Sequence, residues 1–333
     1  MILNYSKIIF LIMLIISSII TLSSNNWLGM WMGLEINLMS FIPFISKSKN
    51  KSSSQAMMMY FLTQTIGSII LLFAILMKSM IFMSPIFIEN LPKIMMMIGI
   101  LIKTGAAPFH MWLPNMMSNL SWLEAMLLMT WQKVAPLFML NFMNPNNTFI
   151  YIIAMTSAIM GAIGGLNQTS LRKILAYSSI NHLGWMLMFM SMNFSWYKYL
   201  LLYSIMIMLL CTILSENNIY FMNQVNLKSP SIMEKYLVIM MLLSLGGLPP
   251  FIGFLPKWMV IQSMVETNLY FPLILMMLTS LLTLFYYLRI LSYIIMSYST
   301  MNNWMSYSPM NKFILYMSYL INLSLPLFSI LNF

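Results

Sequence analysis

The chain has 333 residues, 61% hydrophobic and only 7% charged, with a net charge of +10. Soluble domains carry about 25% charged residues, so these charges cannot cover a globular surface, and the bilayer is the solvent that removes the need. The basic residues are scattered through loops, where Lys and Arg set topology, and they form no nucleic-acid-binding face or module. A lone cysteine, Cys211, excludes a disulfide within the chain and a Cys-rich metal site, and the longest polar-leaning gap, residues 216–235, cannot hold a soluble catalytic domain.

A helix needs about twenty apolar residues to cross a bilayer. The apolar runs predict an all-α, polytopic membrane protein of about eleven spans: 2–22, 26–45, 57–78, 91–107, 124–143, 149–166, 173–192, 198–221, 235–264, 270–298 and 312–332. Long apolar runs without alternation are not barrel strands. The first run resembles a signal peptide but is too long, and no small-residue cleavage site follows; it reads as the first span. If the N-terminus and alternate loops share one side, that side holds Lys7, Lys47, Lys49, Lys51, Arg172, Lys173, Lys228, Lys235 and Lys312. The other side holds only Lys78, Lys93 and Lys198, which places the N-terminus in the matrix or cytoplasm.

In the second span Glu35 stands mid-way through the otherwise uncharged run Trp27–Ile45. A carboxylate there is costly unless paired or protonated, so it is either a structural ion pair or a proton carrier. The other glutamates, Glu89, Glu124, Glu216, Glu234 and Glu266, fall at or near span ends. The fourth span ends in Lys103 and the break Gly105-Ala-Ala-Pro-Phe-His110. Lys133 lies about 13 Å along the fifth span from Glu124, too deep for easy snorkelling, and Pro136 should loosen the helix ladder beside it. An amine out of water can switch between neutral and charged forms, so Lys133 reads as a proton site. His182, in the seventh span, reads first as a hydrogen-bonded structural histidine, whereas the neighbours of His110 favour proton handling. The ninth span is too long and too broken for one helix; Lys257 directly follows its Pro256. Arg289, a permanent charge, is a partner rather than a carrier.

The segment from Gly105 to Pro114 repeats, 142 residues later, as Gly247 to Pro256, on the pattern Gly-x-x-Pro-Phe-x-x-aromatic-Leu-Pro. Paired Gly/Pro breaks in two halves point to a transporter site, and freed backbone at membrane depth is tolerated only inside protein or along a wet cavity. The odd number of intervening spans would make the halves inverted repeats. Phosphate loops, dinucleotide glycines, nucleophile elbows and haem-ligand pairs are all missing from the sequence, so any redox cofactor must sit on other chains.

Gly33-Leu-Glu35-Ile-Asn37, Lys103-x-Gly105-Ala-Ala-Pro-Phe-His110-x-Trp-x-Pro114, Trp131-Gln-Lys133-x-Ala-Pro136, Gly161 to Lys173, Tyr177 to Trp185 and Ser244 to Trp258 resemble, in order, the motifs of the NADH-ubiquinone oxidoreductase chain 2 family. Its members are antiporter-like membrane subunits of respiratory complex I. The 42 methionines and absent aspartate resemble translation from an AT-rich animal mitochondrial genome, of the insect or arthropod kind. The resemblance implies two inverted five-helix repeats, 1–143 and 144–298, and a C-terminal helix within 299–333. It implies a proton path from Glu35 paired with Lys103, through Lys133, to Lys257, with His110 beside the first lysine and His182 in a further motif. It also implies a translocase subunit of the mitochondrial inner membrane, N-terminus in the matrix and C-terminus in the intermembrane space. No redox chemistry is expected on this chain: FMN, iron–sulfur clusters, NADH and ubiquinone belong to other subunits. The partners are other membrane-arm subunits and phospholipids, cardiolipin among them. A free-standing cation/proton antiporter and an inert membrane scaffold are the rival expectations.

Overall fold

The computed structural model describes residues 5–46, 51–80, 90–143, 147–192, 195–225, 232–296 and 312–324. Lys47, Lys49, Glu89 and Lys228 lie outside them. The described regular structure is helical: α1 (Tyr5–Ser23), α2 (Trp27–Ile45), α3 (Lys51–Met80), α4 (Asn90–Thr104), α5 (Trp112–Met117), α6 (Trp122–Met129), α7 (Val134–Phe142), α8 (Asn147–Gly165), α9 (Leu171–Ser191), α10 (Trp196–Glu216), α11 (Ile232–Gly246), α12 (Phe254–Glu266), α13 (Tyr270–Met296) and α14 (Lys312–Asn322). Six of these helices, α1, α2, α3, α8, α10 and α13, are long and apolar enough to cross a membrane, and the chain is a multi-pass membrane protein. The chain divides into two compact units, residues 1–149 and 150–333.

In the first unit α1 packs along α2, and α3 packs between α2 and α4. With no hydrophobic drive between helices in lipid, small residues let backbones approach. Gly33 faces Thr21 and Ser17 of α1, and Gly67 and Gly99 face each other where α3 crosses α4. In the second unit α9 is central. Every residue from Ser178 to Ser191 is buried, so the helix is enclosed on all sides. At Gly161 and Gly184 it meets α8 backbone to backbone: a Cβ on Gly161 would lie 2.6 Å from the Asn181 nitrogen.

The fifth apolar run, expected as one span, is interrupted. α6 stops at Met129, a 3-10 turn covers Trp131–Lys133, and α7 starts at Val134. Pro136 is the physical reason, because it has no N–H to offer the carbonyl four residues back. The fourth run likewise ends at Thr104 rather than continuing to 107, and the ninth splits into α11 and α12.

Candidate functional site

The two breaks that echo each other in sequence share one local geometry. Gly105 and Gly247 both hold a left-handed backbone, with φ of 74° and 81°. Around each, the glycine N–H bonds back three residues and the next N–H bonds back five: Gly105 to Ile102 and Ala106 to Leu101, Gly247 to Ser244 and Leu248 to Leu243. This is the Schellman ending, which favours glycine because no Cβ crowds the left-handed turn. The half-conserved decapeptide is thus one helix-stopping device used twice.

Each device places a lysine. Lys103 sits in the last turn of α4, 6% exposed; its stem crosses α3 at Gly67, where a Cβ would lie 3.1 Å from the Lys103 Cγ. Its Nζ is 3.7 Å from Glu35 Oε1, with the Lys103 side chain 2% exposed and the Glu35 side chain 24%. Lys257 lies in the first turn of α12 and reaches back to donate a 2.7 Å hydrogen bond to the carbonyl of Gly246, the last residue of α11. A cation at a helix C-terminus also meets the negative end of its dipole.

Lys133 ends the 3-10 turn and is 2% exposed. It shares one buried cavity of about 20 Å³ with Lys103; Asn37, Tyr60, Gln64, Thr104 and Gln132 supply the remaining polar wall. The Tyr60 hydroxyl donates to Gln132 Oε1 at 3.4 Å, and Gln64 Nε2 donates to the Lys103 carbonyl at 3.4 Å. Sequence reasoning singled out the two amines and missed these polar partners. The signal was present in part: Tyr60 and Gln64 are four residues apart in an apolar helix, hence on one face, and Asn37 and Gln132 lie inside the motifs around Glu35 and Lys133.

His110 lies in the first break, 3% exposed, with Nδ1 3.2 Å from the Pro108 carbonyl; it is not in the wall of the cavity. His182 is in the second unit, its Nδ1 2.8 Å from the Tyr199 hydroxyl and its ring centroid 4.9 Å from that of Tyr203. Arg289 is a structural clamp: its guanidinium donates to the carbonyls of Leu166 and Gln168. Arg172 lies over the Tyr220 ring, 4.6 Å from its centroid. Glu124, expected simply at a span end, caps α6 through the Ser121 backbone N–H at 2.9 Å and pairs with Lys7 at 3.4 Å.

The model of the NADH:quinone oxidoreductase/Mrp antiporter transmembrane family matches residues 24–283. NADH-ubiquinone oxidoreductase chain 2 of Anopheles gambiae is 46% identical over 304 residues, covering 90% of this chain and 89% of its own. The chain of that name from Locusta migratoria is 42% identical over 313 residues, with 93% and 92% covered. In fold, the chain is similar to one in respiratory complex I from Thermus thermophilus, at TM-score 0.79, 19% identity and coverage of 97% and 80%. A chain of the Mrp complex from Dietzia gives TM-score 0.78 at 15% identity, covering 86% of this chain and 60% of its own. Matched over nearly its whole length by relatives of one name, the chain belongs to the NADH-ubiquinone oxidoreductase chain 2 family.

Proposed function

We propose that this chain is the proton-translocating membrane subunit of a respiratory NADH-ubiquinone oxidoreductase, a translocase that couples electron transfer from NADH to ubiquinone to proton pumping. The observation that carries the proton role is the buried polar cavity whose wall includes both Lys103 and Lys133, with Glu35 3.7 Å from the first amine. Intramembrane ionisable residues facing a polar interior mark ion pathways.

The proposed cycle begins with the Glu35–Lys103 pair. When Glu35 moves off or is neutralised, the proton on Lys103 loses its counter-charge and passes towards Lys133. On the family's pattern, charge arriving at Lys133 drives the proton off Lys257 towards the exit, so the sites titrate as a coupled set. Two unit charges about 4 Å apart interact by about 4 kcal/mol at an effective dielectric of about 20. Moving one charge against the membrane potential costs about 2.3 kcal/mol per 100 mV, so making and breaking one such pair is on the required scale. His110 and His182 supply further proton-handling positions.

The proposed setting is the mitochondrial inner membrane, with about eleven spans, the N-terminus in the matrix and the C-terminus in the intermembrane space. Residues 1–143 and 144–298 form the two inverted repeats, and the last helix lies within 299–333. Membrane-arm subunits and phospholipids, cardiolipin included, are the partners; FMN, iron–sulfur clusters, NADH and ubiquinone are held by other subunits.

Lys133→Met tests the proton role. The side chain stays close in size, so the complex should assemble and oxidise NADH, yet pump fewer protons per electron in sealed vesicles. An unchanged ratio in the assembled variant would reduce the chain to a scaffold.

A further inference from the structure

The two breaks share one turn but differ in what holds them from outside. In the second, the Ile252 N–H donates to the Asn322 carbonyl at 3.1 Å. Asn322 belongs to α14, the helix expected outside both repeats. Among the described residues the equivalent amide of the first break, that of His110, has no such acceptor. Asn322 is the last residue of α14, so its carbonyl is one that the helix itself leaves unbonded. Ile252 and Asn322 are both 1% exposed, and backbone at membrane depth must find its partners within the protein. A second bond pins α14: the Tyr319 hydroxyl donates at 2.7 Å to the carbonyl of Met233, in the first turn of α11. The buried residues of α14 are Ser318 and Asn322, whereas Phe313, Tyr316 and Leu320 are exposed. The helix thus turns a polar face inward, where the polar groups of membrane helices meet their partners.

The tie to Asn322 reaches Lys257 through a short chain of contacts. The Ile252 carbonyl accepts from the Leu255 N–H at 3.1 Å, and Lys257 follows two residues later, in the first turn of α12. Gly253, next to Ile252, presses on the last turn of α11: a Cβ there would collide with the Ser244 carbonyl. The backbone has no slack on that side, so a movement of Ile252 is passed on to the start of α12. A displacement of about 1 Å there takes the 2.7 Å bond from Lys257 to Gly246 out of hydrogen-bond range. We propose that α14 is the strap of the second break, with Asn322 and Tyr319 as positioning residues that hold the backbone from which Lys257 reaches Gly246; the proposal rests on the proton-translocating reading above. The helix appended to the two repeats is then a working part of the second lysine's site. Neither Asn322 nor Tyr319 carries a proton: they act through Lys257.

The test uses Ile252→Pro in the intact complex. Ile252 is the second residue of the turn that the Phe254 N–H closes on the Phe251 carbonyl at 3.0 Å, a position that suits proline. The substitution therefore removes chiefly the N–H that Asn322 accepts. The assembled variant should oxidise NADH and lose most of the proton pumping that Lys257→Met loses. Ile252→Val trims the side chain but keeps the N–H, and should restore the normal proton-to-electron ratio. In a Lys257→Met background Ile252→Pro should cost no further pumping, because a residue that acts through another is not additive with it. A separate, additional loss in that background would overturn the proposal. If Ile252→Pro pumps at the normal ratio while Lys257→Met does not, the strap is refuted and the pump stands. If Lys257→Met also pumps normally, the proton role of this lysine fails and takes the strap with it. Should Ile252→Pro fail to assemble, Tyr319→Phe, which frees α14 from α11, decides by the same two comparisons.

Discussion

Lys257 Nζ lies 2.7 Å from the carbonyl oxygen of Gly246, so the second break is closed by the side chain of the lysine that directly follows its Pro256. The neighbouring Gly247 makes this possible. A Cβ there would stand 2.7 Å from the Lys257 Cδ, on a backbone with φ of 81°. Gly247→Ala therefore incurs about 1–2 kcal/mol of left-handed strain and also pushes the lysine off its carbonyl. The expected outcome is less assembled complex, with lower pumping per complex in what remains. Normal heat stability together with normal pumping would show that the lysine's placement does not depend on this turn.

Glu35→Gln isolates the charge of the first pair. The amide keeps the size of the side chain but removes the counter-ion 3.7 Å from Lys103. Breaking a buried pair costs about 3–5 kcal/mol; with Glu35 part-exposed, the low end applies. That cost falls on the charged, loaded form of Lys103, which the variant therefore populates less. Vesicles carrying the variant complex should oxidise NADH with artificial acceptors at the normal rate and build a markedly smaller pH gradient with ubiquinone. An unaltered gradient would assign the pair a purely structural role.

The unequal legibility of the site has a physical basis. The all-helical membrane class was plain in the sequence because uninterrupted apolar runs have no other stable home. Lys103, Lys133 and Glu35 stood out because each is an isolated charge within such a run. The polar partners did not stand out. Tyr60, Gln64 and Gln132 are uncharged and come from α3 and the 3-10 turn, so only the fold brings them to one cavity. Likewise, Glu124 reads from sequence only as a charge near a span end, and its pairing with Lys7 is hidden because that partner is 117 positions away.

Tyr199→Phe examines His182. The substitution removes the hydroxyl 2.8 Å from Nδ1 and leaves a buried ring nitrogen without that bond, at a cost of about 1–3 kcal/mol. The hydroxyl donates to or accepts from Nδ1 according to the ring's tautomer, so its loss alters how the ring holds its proton. The complex should lose heat stability, and its pumping should change in pH dependence. A stability loss with an unmoved pH profile would leave His182 as a packing residue and remove it from the proton route.

Arg289→Met separates architecture from transport within the second unit. The guanidinium ties the carbonyls of Leu166 and Gln168 to α13, and the same loop is held at its other end by the antiparallel bridge between Ser170 and Phe221. Hydrogen bonds to a charged donor are worth about 1.5–3 kcal/mol each, so losing two should cost about 3 kcal/mol or more. Arg289→Lys keeps the charge but lacks the planar fork that reaches both oxygens, and should recover only part of this. Both variants should lower the amount of assembled complex and its unfolding temperature while leaving the protons pumped per electron unchanged in the surviving fraction. A changed ratio in Arg289→Lys, with assembly intact, would place Arg289 among the proton-handling groups, because a clamp that holds only loop carbonyls has no means of altering stoichiometry.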